Sequence, residues 1–192
     1  MSTTDRRAAL VDAAIDVIAT QGIRALTHRA LDTALRLPGG SASYYFRTKR
    51  ALIEAITDRI TTRSRDDFTV AEFAPSASIE PEAVAAAIAS WLDQLLVDRR
   101  HHLIVRHALI IDLIGDQELH RRLAHSLFST ERARELFHAL GFSDPDAAAA
   151  DFIAVVEGAV FDRFAGARAH IPAGTRDSID QLAAVLSRQL TP

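Results

Sequence analysis

Apolar residues recur at helical spacing from the first turns of the chain. Four of them fall at positions i, i+3, i+4 and i+7 and therefore share one face of a helix: Val11, Ala14, Ile15 and Ile18. Hydroxyl groups at residues 2–4 can cap the start of this helix, and Gly22 can end it. The pattern predicts a first amphipathic helix that runs to about Thr20.

Two shorter helical segments follow, over residues 27–34 and 41–46, and the turn between them contains Pro38, Gly39 and Gly40. Two short helices joined by a tight turn have the plan of a helix-turn-helix unit. Apolar residues in and around these segments can cover the first helix: Leu26, Ala30, Leu31, Leu37 and Phe46. Residues 1–48 are therefore predicted to form a three-helix domain.

The remaining residues, 49–192, have the pattern of a larger helical domain. Prolines, glycines and serines separate its apolar stripes, and hardly any stretch alternates in the way that strands do. The predicted elements are a fourth helix to about Asp67, a loop over 70–79, a fifth helix from Pro81, a sixth over about 100–114, a seventh that ends at Gly141, an eighth from Pro145 and a ninth after Gly174. The sequence thus predicts an all-α protein of about nine helices.

Charge divides the chain into a basic beginning and an acidic remainder. Residues 1–50 hold eight Lys or Arg and four acidic residues, a net charge of +4, and the other 142 hold 14 basic and 21 acidic residues, a net charge of −7. The two sum to the overall charge of −3. A basic domain on an acidic body suits a protein that binds a polyanion at one end. The alternative is that a charge difference of this size is ordinary variation of the protein surface.

Composition excludes several classes of site. The chain has no cysteine, which excludes disulfides, thiolate metal sites and cysteine nucleophiles. The sequence contains no run of about 18 apolar residues that could span a membrane. Its N-terminus carries charges and has no apolar core of the kind found in signal peptides. We therefore expect a cytoplasmic protein.

The most informative stretch is residues 27–49, THRALDTALRLPGGSASYYFRTK. It places Thr27 first, then a Leu-Pro-Gly-Gly-Ser turn, then two tyrosines and Phe46, and finally Lys49, the only lysine in the chain. This order resembles the DNA-binding segment of the tetracycline-repressor (TetR) family of bacterial regulators, and the resemblance is specific over residues 8–60. It implies that the matching Thr, Tyr and Lys hold the DNA backbone while the short third helix reads the sequence.

The residue types in this stretch suit DNA contact. Thr27 would cap the second helix, whose free N–H groups form a seat for phosphate. Small residues in the turn allow a close approach to the major groove, and Tyr44 and Lys49 suit phosphates. In the purely structural alternative, Thr27 is only a cap and Lys49 only a solvated charge. The predicted DNA-binding set is Thr27, His28, Arg29, Arg36, Gly40, Ser41, Ser43, Tyr44, Tyr45 and Lys49.

Two features depart from the family pattern. Asp32 stands where a small apolar residue is common, and residues 35–37, Leu-Arg-Leu, replace a turn of the type small-Gly-apolar. Without the freedom of glycine, the residue at the turn must take a strained φ or the turn must shift by one residue. Arg36 would compensate by adding a phosphate contact.

The predicted sixth helix leaves little room for a polar face, so we expect it to be buried nearly all round. Its Arg106, His107 and Asp112 would be costly to bury unless they are paired or meet a polar guest. Because the resembled family senses small molecules in its helical body, we place a candidate effector pocket here, lined by Trp91, Arg106, His107, Asp112, Leu123, Leu127 and Phe128. The alternative is ordinary core, in which Arg106 and Asp112 find partners within the protein.

The last two predicted helices carry long apolar stripes. Such helices can simply complete a core, but in the resembled family they pair with their copies across a two-fold axis. A dimer is also what a helix-turn-helix needs to span successive major grooves. The predicted dimer interface contains Phe152, Val155, Val156, Ala159, Val160, Ile179, Leu182 and Leu186.

Histidines are frequent in the middle of the chain, at positions 101, 102, 107, 120, 125 and 138. No two of these histidines are four residues apart with an acidic residue nearby, the arrangement that a metal site on a helix would favour. We therefore predict no metal site and no cofactor.

These features together predict a ligand-responsive transcriptional regulator. It would be a homodimer that binds a palindromic DNA operator and acts as a repressor released by a small, largely apolar effector. Two other classes stay open: a degenerate family member that binds proteins, and a helical enzyme. The second has no support from a Gly-x-Ser-x-Gly elbow, a phosphate loop or paired carboxylates, so we expect no enzymatic activity.

Overall fold

The computed structural model describes residues 3–70 and 80–191, and in these ranges the chain is helical and contains no strand. Ten α-helices and one 3₁₀ turn (Ile23–Ala25) are present in them: α1 (Thr3–Gln21), α2 (His28–Ala34), α3 (Ser41–Tyr45), α4 (Lys49–Val70), α5 (Pro81–Asp98), α6 (Arg100–Asp112), α7 (Gln117–Ala124), α8 (Thr130–Ala139), α9 (Pro145–Ala165) and α10 (Arg176–Ser187). The predicted all-α fold class is confirmed. Within the described ranges, no helix combines the length and the apolar character needed to cross a membrane.

The predicted seventh helix is in fact two helices, α7 and α8. His125 is the C-cap of α7, and its backbone N–H donates to the carbonyl of Arg121. Ser129 is the N-cap of α8, and its hydroxyl accepts from the N–H of Arg132 at 3.2 Å. The apolar stripe runs across this break, so periodicity alone joined the two helices. The predicted loop over 70–79 lies outside the described residues except for Val70, which ends α4.

The expectation that the sixth helix is buried nearly all round is wrong. In α6 the buried residues are Leu103, Val105, Arg106 and Leu109, and the helix ends at Asp112 instead of residue 114. Ile111 is 67% exposed, and Ile114, beyond the end of the helix, is 68% exposed. The helix therefore has one buried face, although its sequence is apolar on both sides.

The chain divides into two compact units. The first comprises Met1–Asp67 and His101–Leu127, and the second comprises Phe68–Arg100 and Phe128–Pro192. The sequence-based division into residues 1–48 and 49–192 is a functional one, and it stays a prediction.

In the first unit, the apolar face of α1 packs against the short helices that follow it. Leu10, Ala14 and Ile18 are 2% exposed or less, as are Leu31 of α2 and Phe46 just after α3. Residues of α4, α6 and α7 complete this core: Leu52, Ile53, Ile56, Ile60, Val105, Leu109, Leu119 and Leu123. The predicted cover for the first helix is present, with Leu26 and Leu31 buried and Leu37 partly buried.

In the second unit, α5 packs along α10, and α8 packs along α9. A buried polar cluster joins α5, α9 and α10: the carboxylate of Asp93 accepts from the N–H of Gly174 at 2.9 Å and from the hydroxyl of Ser178. Nη2 of Arg163 donates to the same hydroxyl at 2.7 Å, and burial lowers the pKa of Arg163. The cluster fixes the connection that leads into α10 against α5.

Candidate nucleic-acid interface

The helix α2 begins at Thr27. This residue has an extended backbone with φ −135°, and its Oγ1 accepts from the N–H of Ala30 at 3.1 Å. It is therefore the N-cap that the sequence predicts. As an acceptor in this bond, the Thr27 hydroxyl keeps its own proton for another partner.

The turn after α2 is a complete Schellman motif with an arginine at the left-handed position. The N–H of Leu37 donates to the carbonyl of Asp32 at 2.8 Å, and the N–H of Arg36 donates to the carbonyl of Thr33 at 3.1 Å. Arg36 has φ +52°, the one positive φ of a non-glycine residue in the described part of the chain. Of the two possibilities that the sequence leaves open at this turn, the chain adopts the strained φ.

Asp32 caps the start of α3 with a side chain that is 5% exposed. Its Oδ2 accepts from the N–H of Gly40 at 2.8 Å, and its Oδ1 accepts from the N–H of Ala42 at 2.7 Å. Gly40 is the N-cap of α3 and has φ +90°, a conformation that glycine adopts at no steric cost. A carboxylate from α2 therefore satisfies two amides at the N-terminus of α3.

Arg7 of α1 holds the opposite end of α3. Its Nη1 donates to the carbonyl of Tyr45 at 2.9 Å, and its guanidinium carbon lies 4.2 Å from the centroid of the Phe46 ring. Phe46 is fully buried, as predicted. Sequence reasoning missed the roles of Arg7 and Asp32; the available signal for Asp32 was a single acid within an otherwise basic stretch.

The ten predicted DNA-binding residues all belong to α2, the turn, α3 and the first turn of α4. Tyr44 is 76% exposed, and its ring meets that of Tyr45 edge to face at 5.2 Å. His28, Ser41 and Tyr45 are half-buried, and the other members of the set are exposed. The only acid between residues 27 and 50 is Asp32, which is buried, so the exposed charged side chains of this segment are all basic: Arg29, Arg36, Arg47, Lys49 and Arg50.

Ion pairs tie the helices of the first unit together. Arg50, next to Lys49, binds Glu54 at 2.9 Å and Asp116, the N-cap of α7, and the bond with Asp116 raises the pKa of Arg50. Farther along α4, Asp58 accepts from Arg122 of α7. Two contacts therefore join α4 to α7 within this unit.

Comparison with protein families decides the identity of the chain. A family described as tetracyclin repressor-like, C-terminal domain, matches residues 80–190, and one described as bacterial regulatory proteins, tetR family, matches residues 10–56. The chain belongs to the TetR family. Both descriptions are those of regulators, and neither is that of an enzyme family.

Solved structures of TetR-family and related proteins share the fold. A TetR-family member from Streptomyces coelicolor A3 is 24% identical with a TM-score of 0.70, and the match covers 98% of this chain and 99% of that one. A transcriptional regulator from Rhodococcus sp. Rha1 is 19% identical with a TM-score of 0.72, covering 96% and 93%. The multidrug binding protein EbrR, complexed with ethidium, is 24% identical with a TM-score of 0.63, covering 97% and 99%. Comparison with curated proteins gave no significant match.

The predicted effector residues of this TetR-family protein are divided between the two units. Arg106 is 1% exposed and donates to the carbonyls of Leu123 and Ala124 at 3.0 Å, so it satisfies the end of α7. His107 contacts the carbonyl of Leu103 at 2.8 Å. Asp112 is exposed, which corrects the expectation that it is buried.

The other predicted effector residues also fall into two groups. Leu123 and Leu127 are buried residues of the first unit. Trp91 and Phe128 belong to the second unit, where their half-buried rings meet edge to face at 5.3 Å. Of the predicted set, this aromatic pair is the part that lies in the second unit.

Most of the predicted dimer residues lie inside a single chain. Five of the eight are 2% exposed or less and form core of the second unit: Phe152, Val156, Val160, Leu182 and Leu186. Val155, Ala159 and Ile179 are half-buried. The sequence identified the apolar stripe of α9 correctly, but its centre packs against the chain itself.

A groove with a volume of about 340 Å³ lies between α1 and α4. Among the described residues, no group of three or more His, Asp or Glu side chains is arranged to hold a metal ion. The groove is lined by Arg7, Val11, Asp58 and Arg63, among others. Asp58 and Arg7 are already bonded to Arg122 and Tyr45, so the groove adjoins contacts that hold α4 and α3.

Replacing Arg36 by glycine should stabilise the protein by about 1 kcal/mol, because an L-residue in the left-handed region costs about 1–2 kcal/mol and glycine recovers part of it. Urea unfolding would measure the change. Arg36→Ala is the matched control, since it removes the same charge but keeps the Cβ atom. Equal stability of the two variants would contradict this account of the turn.

Proposed function

We propose that this TetR-family protein is a homodimeric repressor that binds a palindromic operator in the cytoplasm and leaves it when a small molecule binds. The observation that carries the proposal is the segment from Thr27 to Arg50, whose exposed charged side chains are all basic and whose single acid is buried. Such a surface attracts DNA through its phosphates at any sequence. Sequence discrimination then requires side chains at the base edges.

The DNA contacts divide by chemistry. Arg29, Arg36 and Lys49 are exposed cations suited to phosphate, and the Thr27 hydroxyl retains a proton that it can donate to a phosphate oxygen. On α3, the exposed Ser43 and Tyr44 are the candidates for base edges and the adjoining backbone. The hydroxyl of Ser43 donates to the carbonyl of Gly40 at 2.8 Å, so it meets the DNA as an acceptor.

The dimer contact is better assigned to the outer face of α9 than to its buried stripe. Ala154, Gly158, Phe161 and Ala165 are all exposed on this helix and recur at spacings of three or four residues. A Cβ atom at Gly158 would meet no atom within 4 Å, so a second helix could approach closely there. Small residues beside one exposed phenylalanine give a face on which two copies of α9 can pack.

The proposed effector site includes Trp91 and Phe128. Both rings are half-buried, and the face of an aromatic ring attracts an apolar or cationic aromatic guest. The complex of EbrR with ethidium supports a guest of this kind in a protein with the same fold. Binding would favour a state in which α4 is displaced, because α4 carries Lys49 and is tied to α7 through Arg50 and Asp58.

The extent to which an effector releases the protein from DNA depends on how much more tightly it binds the released state than the DNA-competent state. To move the protein from about 99% DNA-competent to about 1%, the effector must prefer the released state by roughly 10⁴-fold. An effector that binds both states equally would leave repression unchanged.

The protein should bind tightly to the DNA that flanks its own gene, and this affinity should depend steeply on salt because the contacts displace counterions from phosphates. Fluorescence anisotropy across a salt series measures this. Lys49→Ala should weaken binding and lower the slope of log K against log salt by about 1, and Tyr44→Phe should weaken binding if its hydroxyl holds a phosphate.

Arg188→Ala, at an exposed position beyond α10, is the matched control and should leave the slope unchanged. If the protein has no affinity for DNA and binds a protein partner with an affinity that does not depend on salt, the protein-binding alternative is favoured instead.

Gly158→Glu should convert the dimer into a monomer, because it places a charge at the centre of the outer face of α9. Sedimentation velocity measures the mass, and operator affinity should fall since each half-site is then bound singly. Ala86→Glu, at an exposed position of α5, is the control. A dimer that persists in Gly158→Glu would show that the interface lies elsewhere.

Ethidium, added without DNA, should quench the emission of Trp91, which is the only tryptophan in the chain. Phe128→Ala should weaken the binding, because it removes the ring that meets Trp91. Phe142→Ala is the control, since that ring packs against Phe137 at 4.8 Å instead. Unchanged emission at saturating dye would contradict an effector site at this pair.

A further inference from the structure

We propose that Asp32, assisted by Arg7, is a positioning residue that sets the pose of α3 before DNA arrives and thereby determines sequence specificity. Neither side chain belongs to the predicted DNA-binding set. The inference rests on the proposed DNA-binding function and adds to it a division of labour between positioning and contact residues.

The first argument is the length of α3. A helix of five residues, Ser41–Tyr45, contains barely one turn, and the first turn of a helix is unfavourable to form in isolation. Its own backbone supplies few bonds, among them the N–H of Phe46 to the carbonyl of Ala42 at 2.9 Å. The helix therefore depends on groups from outside itself.

The second argument is that Asp32 acts on two helices at once. Its backbone carbonyl accepts from Leu37 at 2.8 Å and completes the motif that ends α2. Its side chain accepts from Gly40 and Ala42 at 2.8 and 2.7 Å and begins α3. A single residue thus fixes the end of one helix relative to the start of the next, and with it the angle between them.

The third argument concerns charge. The carboxylate is 5% exposed, and a buried carboxylate is stable only where donors surround it. These donors are the amides of Gly40 and Ala42, which are therefore not available to a DNA phosphate. Phosphate contact falls to the cations around α3, and the exposed side chains of α3 are left for base edges.

Arg7 completes the arrangement from α1. It donates to the last carbonyl of α3 and covers the Phe46 ring, so both ends of α3 are held by charges of the sign that a helix end prefers. Arg7 contributes to the net positive charge of residues 1–50, but its guanidinium binds the backbone carbonyl of Tyr45.

The test compares specific with non-specific binding. The operator is first selected from random DNA with the wild-type protein; if nothing is selected, the proposed function itself fails. The variants are Asp32→Asn, which can accept at only one of the two amides, and Asp66→Asn, an exposed acid of α4 with the same change in charge. Anisotropy against operator and random DNA gives the ratio of affinities, and amide exchange at residues 40–46 reports the order of α3.

We expect Asp32→Asn to lower the operator-to-random ratio at least tenfold, to accelerate exchange in α3 and to relax base preference, while Asp66→Asn keeps the wild-type ratio. An unchanged ratio or unchanged exchange in a folded Asp32→Asn protein would overturn the proposal. If Asp32→Asn does not fold, Arg7→Gln decides: a lowered ratio with faster exchange at Tyr45 and Phe46 supports the proposal, and a wild-type ratio overturns it.

Discussion

A helix of one turn has too few internal hydrogen bonds to be stable alone, and the DNA-binding domain of this protein is built around that constraint. The five residues of α3 are kept helical by a carboxylate from α2 and a guanidinium from α1. Burial of Phe46 adds the apolar contribution. The three helices are therefore interdependent, because α3 is held as a helix by charged groups of the other two.

Charged residues at the start of α4 also hold helices of the protein together. Its first turn carries Lys49 toward the proposed DNA contact, and the next residue, Arg50, is bonded to the N-cap of α7. The two adjacent residues thus differ in role: Lys49 is a proposed DNA contact, whereas Arg50 binds Glu54 and Asp116 of the protein itself. A shift of α7 along α4 would act directly on the residue beside the proposed phosphate contact, without passing through the apolar core.

The sequence predicted those features that depend on spacing along the chain. The apolar face of α1, the cap at Thr27 and the burial of Phe46 were all correct, because each follows from local pattern or local bonding. The role of Asp32 was not predicted, since its partners are eight and ten residues away and are reached only after Arg36 takes a positive φ. Periodicity likewise could not tell which side of an apolar helix meets its own chain, which is why Val156 and Val160 were assigned to a partner.

The caps of α3 bind backbone atoms, the amides of Gly40 and Ala42 and the carbonyl of Tyr45, and not the side chains that face outward. The residues that hold α3 in place are therefore different from the residues proposed to contact DNA. Substitutions at Ser43 or Tyr44 leave these three bonds in place, so the operator preference of such a protein can change over evolution without rebuilding its fold.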